Sequence, residues 1–161
     1  MPFRLDGTDI RLLTELQLRG DRSLSQIAAK LSVSPSTLTR RMSALEGAKI
    51  IIGTVAVVDA KKVGRPLSFV ISVRMDSTRP EDLEDLTAWI KAETSFQQAL
   101  MVSDEAGLVI TATAADLETF NALMVQFQED NPVIREVSSR LVTETIKQTL
   151  FVPIGPNGAD I

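Results

Sequence analysis

The side chains in this sequence best suited to recognition chemistry are hydroxyl and guanidinium groups clustered between residues 36 and 43. They are Ser36, Thr37, Thr39, Arg40 and Ser43, with Arg41 beside them. Short hydrogen-bonding groups and a guanidinium on a convex rod can read base edges in a DNA major groove. The cluster therefore predicts contact with duplex DNA, provided that these residues share the outer face of a helix.

Two short amphipathic helices joined by a tight turn would present this cluster. Apolar residues at i, i+3, i+4 and i+7 predict the first helix, and they are Leu24, Ile27, Ala28 and Leu31. Ser34 and Pro35 then supply a preferred N-cap and a proline at the first helical position. Leu38, Met42 and Leu45 give the second helix its buried stripe, which leaves the polar cluster outside. A solvated three-helix bundle with no DNA-binding role fits this spacing equally well.

The distribution of charge favours the DNA-binding interpretation. The whole chain has a net charge of −4. Through Ile50 there are eight basic and five acidic residues, a net charge of +3, whereas the remainder has nine basic and sixteen acidic residues, a net charge of −7. Because phosphate attraction supplies most non-specific affinity for DNA, basic residues are expected in the DNA-reading segment.

The missing residue types narrow the possible functions. The chain has no Cys, His or Tyr, so a zinc finger or a zinc-dependent hydrolase is excluded for practical purposes. No Walker or dinucleotide glycine motif is present, and aromatic residues make up only 4% of the chain, which argues against a single-strand stacking platform. We therefore predict no catalytic site, no metal site, no cofactor and no enzymatic activity.

Length and hydropathy set the cellular context. The 161 residues suit one domain or two small ones, and 44% hydrophobic content can bury a core. No apolar run reaches the roughly eighteen residues that a membrane span needs, and the N-terminus lacks a signal-peptide core. A cytoplasmic protein without membrane association is expected.

The remaining pattern predicts an α+β protein. A helix over 8–19 would complete the N-terminal bundle, and the β-branched run 50–58 is expected to be an extended connector or strand. From Leu67 the chain reads β-α-β-β-α-β: alternation over 67–75, a capping box at Thr78 and Glu81, strands over 96–102 and 108–114, a helix capped by Asp116, and a long last strand over 133–150. This order predicts a ferredoxin-like domain.

The expected organisation has four parts. Residues 1–50 form a helix-turn-helix DNA-binding domain, 51–65 a connecting strand and linker, 66–154 a ferredoxin-like effector-binding and oligomerisation domain, and 155–161 a frayed tail. Val70 and Val109 fall on the strand face opposite the main apolar stripe, which suggests that a second subunit covers it.

This arrangement resembles the Lrp/AsnC family of bacterial and archaeal transcription regulators over about Leu5 to Ile154. The segments similar to the family pattern are Leu5-Asp6-x-x-Asp9-x-x-x-Leu13, Asp21-Arg22-Ser23, Ile27-Ala28-x-x-Leu31, Val33-Ser34-Pro35-Ser36-Thr37-Leu38-x-x-Arg41 and Leu45-Glu46-x-x-x-Ile50-Ile51-x-Gly53. The resemblance implies a winged or plain helix-turn-helix regulator that binds double-stranded DNA. It also implies an amino acid or related effector, and a homodimer that often assembles into an octamer.

The resemblance also implies a set of DNA-contacting residues. They are Ser23, Ser34, Ser36, Thr37, Thr39, Arg40, Arg41 and Lys49. The recognition helix would run from Pro35 to about Gly47, with Ser36, Thr37 and Arg40 facing the groove. Ser23, Arg22, Arg41 and Lys49 would touch phosphate or remain structural, and for Arg41 an intradomain ion pair is an equal alternative.

Two positions depart from the family pattern. The turn residue is Ser32 where the family tends to have glycine, and a left-handed non-glycine residue costs roughly 1 kcal/mol. The family associates its effector site with a Gly-x-x-Asp loop, which here reads Ser103-Asp104-Glu105-Ala106. Ser103, Asp104 and Glu105 are the candidate effector contacts, while an exposed hairpin turn or a lost site is the alternative.

Two other functions remain open at the level of sequence. A ferredoxin-like small-molecule sensor would act through contacts with another protein and would have no affinity for promoter DNA. A dimeric ferredoxin-like enzyme would show turnover in the segment 60–154, although the missing His, Cys and Tyr argue against it.

Overall fold

The fold is taken from a computed structural model, which describes residues 3–77, 79–103 and 107–155, except the side chain of residue 82. The described residues divide into two compact units, one lying within 1–56 and 147–161 and the other within 57–146. In the described residues no helix is long and apolar enough to cross a membrane.

The first unit contains three helices, α1 (Gly7–Leu18), α2 (Leu24–Leu31) and α3 (Pro35–Gly47). Each begins at a side-chain cap: Asp6 for α1, Ser23 for α2 and Ser34 for α3. Their apolar stripes meet in one core built from Leu5, Leu12, Leu13, Ile27, Ala28, Leu31, Leu38 and Leu45. The predicted helices are confirmed, with α1 beginning and ending one residue earlier than expected. No wing hairpin follows α3 in the described residues, so the helix-turn-helix is of the plain kind.

Residues 52–58 after α3 belong to no helix or strand. A short 3-10 helix, Ala60–Val63, follows and ends at Gly64, whose φ of 82° places it in the left-handed region. The run 50–58 is therefore an extended connector within the described chain, the first of the two forms that its sequence allowed.

The second unit contains β1 (Leu67–Met75), α4 (Pro80–Ala92), β2 (Phe96–Met101), β3 (Leu108–Ala114), α5 (Leu117–Asp130) and β4 (Ile134–Leu141). The antiparallel strands lie in the order β2-β3-β1-β4. Alternation along β1 sends Phe69, Ile71 and Val73 into the core, against α4 and α5 residues such as Leu86 and Phe127. This is the predicted βαββαβ fold.

One local prediction is wrong. The strand expected over 133–150 ends at Leu141, which pairs with Phe69 of β1. The Val142 amide still donates to Ser68 O at 2.8 Å, and beyond Ser68 only Leu67 of β1 remains before Pro66.

The capping box expected at Thr78 and Glu81 includes Thr78, which lies outside the described residues. Helix α4 has Arg79 as its N-cap, with no side-chain cap hydrogen bond.

The segment after β4 returns to the first unit, although the sequence suggested that 147–154 belongs to the second domain. Val152 exchanges two hydrogen bonds with the side chain of Gln17 on α1: its amide donates to Oε1 at 2.6 Å, and its carbonyl accepts from Nε2 at 3.1 Å. Ile154 packs against the helical core. Part of the C-terminal segment thus completes the first unit.

Candidate nucleic-acid interface

The turn between α2 and α3 is set by two local devices. Ser32 ends α2 in the left-handed conformation, at φ 57° and ψ 42°. Ser34 then caps α3, its Oγ accepting from the amide of Thr37 at 3.2 Å, with Pro35 in the first helical turn. The chain reverses within Ser32, Val33 and Ser34, and this reversal aims the start of α3 away from α2.

The roll of α3 is fixed by its apolar side. Leu38 and Leu45 are fully buried, and Met42 is half-buried on the same side. At about 100° per residue, Arg40 lies roughly 200° from Leu38 around the axis. The outer face of α3 is defined here as the four exposed polar residues that lie roughly 100–200° from Leu38 around the axis, Ser36, Thr39, Arg40 and Ser43.

Several hydroxyl groups at the start of α3 form a local hydrogen-bonded cluster. Ser34 Oγ lies 3.0 Å from Ser36 Oγ and 2.8 Å from Thr37 Oγ1. Thr39 donates its hydroxyl to the carbonyl of Pro35 at 3.0 Å, so its lone pairs remain available as acceptors. Ser34, Ser36 and Thr37 thus lie together at the amino end of α3, where backbone amides also favour an anion.

Arg41 is held inside the first unit. Its Nη1 donates to Asp6 Oδ2 at 2.6 Å and to Asp9 Oδ1 at 2.8 Å, and Asp9 is buried. These carboxylates raise the pKa of Arg41. Burial opposes ionisation of Asp6, but hydrogen bonds from the Asp9 amide, Arg41 and the Thr8 amide outweigh it and lower the pKa of Asp6. Of the two roles left open for Arg41, its contacts match the intradomain ion pair.

A second buried carboxylate on α1 binds two more cations. Glu15 accepts from Lys30 Nζ at 2.5 Å and from Arg22 Nη1 at 2.8 Å. Its pKa is lowered by the hydrogen bond from Lys30 first, against the opposing effect of burial, with further help from Arg22. Arg22, considered for phosphate contact, is thus already engaged.

Arg40 and Lys49 differ from these engaged cations. Both are exposed, and neither makes an ion pair or a side-chain hydrogen bond with any described residue. Lys49 follows α3 in the left-handed region, at φ 59°. Ser23, also a candidate contact, caps α2: its Oγ accepts from the Gln26 amide at 3.3 Å while its own amide donates to Gln26 Oε1 at 2.9 Å.

The structure thus brings Ser34, Ser36, Thr37, Thr39 and Arg40 together on α3, with Arg41 turned toward α1. Sequence reasoning did not identify Asp9 and Glu15 as the residues that hold this unit's cations. Their positions along α1 were a usable signal, because Asp9 and Glu15 fall near the buried leucines of that helix, where an acid needs a cationic partner.

The candidate effector contacts are only partly visible. Ser103 is exposed in the loop that follows β2, whereas Asp104 and Glu105 lie outside the described residues. The loop closes with the Val102 amide donating to the Gly107 carbonyl at 2.9 Å. Gly107 has φ +70°, and a Cβ there would come within 3.0 Å of the Met75 side chain. Among described residues no group of three or more metal-ligand side chains occurs.

Two family models match the chain over these same units. A model of the AsnC-type helix-turn-helix domain matches residues 5–46, and a model of the Lrp/AsnC ligand binding domain matches residues 68–150. The leucine-responsive regulatory protein of Haemophilus influenzae is 26% identical over 148 residues, which cover 92% of this chain and 89% of that protein. The DNA-binding transcriptional activator DecR of Escherichia coli K12 is 25% identical over 153 residues, covering 93% and 99%.

The fold is also found in solved structures. A transcriptional regulator of Neisseria meningitidis, solved as a complex with L-Met, superposes with a TM-score of 0.86 at 24% identity, covering 92% of this chain and 96% of that one. An AsnC family transcriptional regulator from Agrobacterium tumefaciens gives 0.85 at 23% identity, covering 92% and 97%. With a helix-turn-helix unit and a βαββαβ unit each matched by its own family model, this chain belongs to the Lrp/AsnC family of transcription regulators.

Proposed function

We propose that the outer face of α3 reads operator DNA in the major groove, with Arg40 as its principal base contact. One observation carries this proposal. Arg22, Lys30 and Arg41 are engaged by carboxylates of the first unit, while Arg40 stands exposed on the face opposite the buried Leu38. A guanidinium without an internal partner can donate two hydrogen bonds to guanine O6 and N7.

The other polar residues of the interface have smaller roles in this proposal. Ser36, Thr39 and Ser43 offer hydroxyls to base edges, and Ser34 and Thr37 present the amino end of α3 to a phosphate. Lys49 and the exposed Ser23 contact the DNA backbone. Arg41 acts indirectly, by holding α3 against α1 through Asp6 and Asp9.

The test compares Arg40→Ala with Arg11→Ala, another exposed arginine of the first unit, whose side chain donates to Gly7 O and Thr8 Oγ1 on its own helix. Binding sites are first selected from a random duplex pool with the unaltered protein. Loss of one bidentate base contact should cost about 1–3 kcal/mol against the selected site and little against random DNA. Arg11→Ala should leave the specificity ratio unchanged.

The salt dependence of binding separates base contact from phosphate contact. If Arg40 touched only phosphate, its alanine variant would weaken binding to all sequences and reduce the slope of log affinity against log salt by about 0.9. Unchanged affinity and unchanged preference in Arg40→Ala would refute the proposed role.

We also propose that the second unit binds an amino acid and that the protein works as a homodimer or larger homo-oligomer in the cytoplasm. The match to a ligand binding domain and the L-Met complex of the Neisseria protein support the ligand class. Val70 and Val109, half-buried on the sheet face away from α4 and α5, support the association of subunits.

The ligand proposal can be tested by thermal unfolding in a panel of single amino acids. A ligand at one hundred times its Kd should stabilise the native state by about 2.7 kcal/mol. Replacing Asp104 and Glu105 together by Asn and Gln should abolish the shift if these carboxylates hold the ammonium group. Glu118→Gln on α5 is the matched control, and loss of the shift there too would point to a non-specific charge effect.

A further inference from the structure

The hydroxyl group of Thr39 has a fixed hydrogen-bonding polarity toward any partner outside the protein. Its Oγ1 lies 3.0 Å from the carbonyl oxygen of Pro35, one turn earlier on α3. Because a carbonyl oxygen has no hydrogen to give, Thr39 is the donor in this bond. The hydroxyl hydrogen is thereby used, and only the lone pairs of Oγ1 are left for a further partner. Thr39 is exposed, so DNA can reach them.

The bond to Pro35 also favours one orientation of the Thr39 side chain. A threonine inside a helix divides between two χ1 rotamers, and a hydrogen bond to the carbonyl four residues earlier selects between them. A base acceptor that approached Thr39 would have to displace this bond to obtain a hydrogen. A base donor would meet lone pairs that are already free.

The other residues on the outer face of α3 have different polarities. Arg40 has N–H donors and no acceptor, so it can bind only acceptors. The hydroxyl of Ser43, one turn after Thr39, makes no hydrogen bond to any residue that the structure describes, so it can turn either way. Ser36 shares a hydrogen with Ser34 Oγ at 3.0 Å, and either oxygen can donate it. Among these four residues of the face, Thr39 is therefore the acceptor-only position.

We propose that Thr39 selects an exocyclic amino group in the major groove, either N6 of adenine or N4 of cytosine. These amino groups are the donors that base edges present there, whereas guanine O6, thymine O4 and the purine N7 atoms are acceptors. Thr39 matches the donors and Arg40 beside it matches the acceptors of guanine. This inference rests on the proposed reading of DNA by α3 and adds the chemical class of one group that is read.

A fixed polarity makes Thr39 a source of sequence preference. Every base pair contains one amino group, on adenine in an A·T pair or on cytosine in a G·C pair, and the partner base presents an acceptor beside it. Reversing the pair between the strands therefore replaces the amino group facing Thr39 by an oxygen, and lone pairs then meet lone pairs. The hydroxyl of Ser43 can turn to suit either arrangement, so reversal of a pair that it contacts should matter less.

Base analogues that lack a single amino group test this assignment. In the duplex selected by the unaltered protein, purine replaces adenine, or a cytosine analogue without its amino group replaces cytosine, at one position at a time. Loss of the amino group that Thr39 contacts should weaken binding about two- to tenfold, the value of one neutral hydrogen bond. In Thr39→Val, which keeps the branched shape, the same analogue should have no further effect. Thr39→Ala, which is a better helix former, should show the same coupling.

Two controls locate the effect at the Thr39 hydroxyl. Purine analogues in which carbon replaces N7 remove an acceptor instead of a donor. Coupling of Thr39→Val to the loss of N7 rather than of an amino group, or coupling to neither, would overturn the proposal. Ser43→Ala should leave the response to amino loss intact, and its disappearance at the same position would overturn the assignment to Thr39.

The same measurements separate this inference from the proposed function. If no duplex is preferred over random DNA, the reading of operator DNA by α3 fails. A preference that depends on Arg40, without coupling between Thr39 and an amino group, would refute only the selection by Thr39.

Discussion

The two units of this protein are stabilised by different kinds of interaction. The buried core of the helical unit contains only aliphatic side chains, and α1 adds two buried acids, Asp9 and Glu15, that bind three cations. The sheet unit is built around aromatic rings. Phe69 stacks on Phe120 with centroids 3.5 Å apart, and Phe127 contacts both Trp89 and Phe96.

Buried charges therefore have a structural role in the helical unit, whereas aromatic packing has that role in the sheet unit. In the helical unit, the buried carboxylates fix the positions of α2 and α3 by binding Lys30, Arg22 and Arg41. Buried ion pairs are stable only while both partners remain, because removing one leaves the other desolvated and uncompensated. We therefore expect the DNA-reading unit to be sensitive to single charge changes and to pH, and the sheet unit to be sensitive to cavities.

The largest expected effect is that of Phe127→Ala in the sheet unit. Phe127 is fully buried, with ring centroids 5.0 Å from Trp89 and 5.3 Å from Phe96. Its truncation should lower the free energy of unfolding by about 3–5 kcal/mol. The only tryptophan in the chain, Trp89, reports this unit selectively by fluorescence during denaturant unfolding.

Val125→Ala on the same helix is the matched control, since Val125 is 55% exposed. It should change stability by less than about 0.5 kcal/mol. Since alanine is a better helix former than phenylalanine or valine, a comparable loss in both variants would show that any truncation on α5 destabilises the unit, and that the aromatic packing of Phe127 has no special role.

Asp9→Asn should have the largest effect in the helical unit. It removes a buried carboxylate that accepts from Arg41 and also from the Asp6 amide at 3.0 Å. We expect a loss of about 3 kcal/mol, at the lower end for a broken buried pair because the Arg41 side chain is 27% exposed and keeps Asp6. Far-UV circular dichroism should show the helical loss before the Trp89 transition.

Asp21→Asn is the control for Asp9→Asn, because Asp21 is exposed and lies 3.8 Å from Arg19. An exposed pair of this kind contributes less than about 1 kcal/mol. If both variants unfolded alike, the distinction between the buried acid and the surface acid would fail.

The stability of the helical unit should depend more strongly on pH than the stability of the sheet unit. Asp6 and Glu15 have lowered pKa values in the folded state, so the stability they contribute is present above their ordinary range near pH 4. That stability is lost as the pH falls through the lowered pKa values, because the folded protein must then take up protons against its cations. Acid titration from pH 6 to pH 2 should unfold the helical unit first, by circular dichroism with Trp89 fluorescence as the reference.

Among the described side chains of the sheet unit, one carboxylate is of this type. Asp116 caps α5 and its pKa is lowered by the amide and hydroxyl of Thr119. Asp116→Asn, which keeps a capping oxygen, should flatten the acid sensitivity of the Trp89 transition with little change at pH 7. Simultaneous unfolding of both units on acidification would contradict the expected difference in their pH dependence.

Local patterns predicted most of the fold because they report local physics. The buried stripe of α3, the Ser34-Pro35 start and the alternation of β1 each reflect a neighbouring side chain or backbone group. The prediction failed where the extent of a distant strand matters: the ladder of β4 ends at Leu141 opposite Phe69, close to the start of β1 at Leu67. The roles of Asp9 and Glu15 depend on cations seven to 32 residues away along the chain, so sequence spacing predicted the exposed face of α3 better than the ion pairs behind it.

The smallest effect is expected at the turn that aims α3. Ser32 is a non-glycine residue at φ 57°, a conformation in which glycine avoids the clash of Cβ with the backbone. Ser32→Gly should therefore stabilise the helical unit by about 0.5–1 kcal/mol, measured by thermal unfolding under circular dichroism. Ser25→Gly makes the same side-chain change inside α2, where φ is helical, and should destabilise by about 0.5–1 kcal/mol. Opposite signs for the two substitutions would assign the effect to backbone conformation at the turn, whereas equal signs would show that loss of the serine side chain dominates.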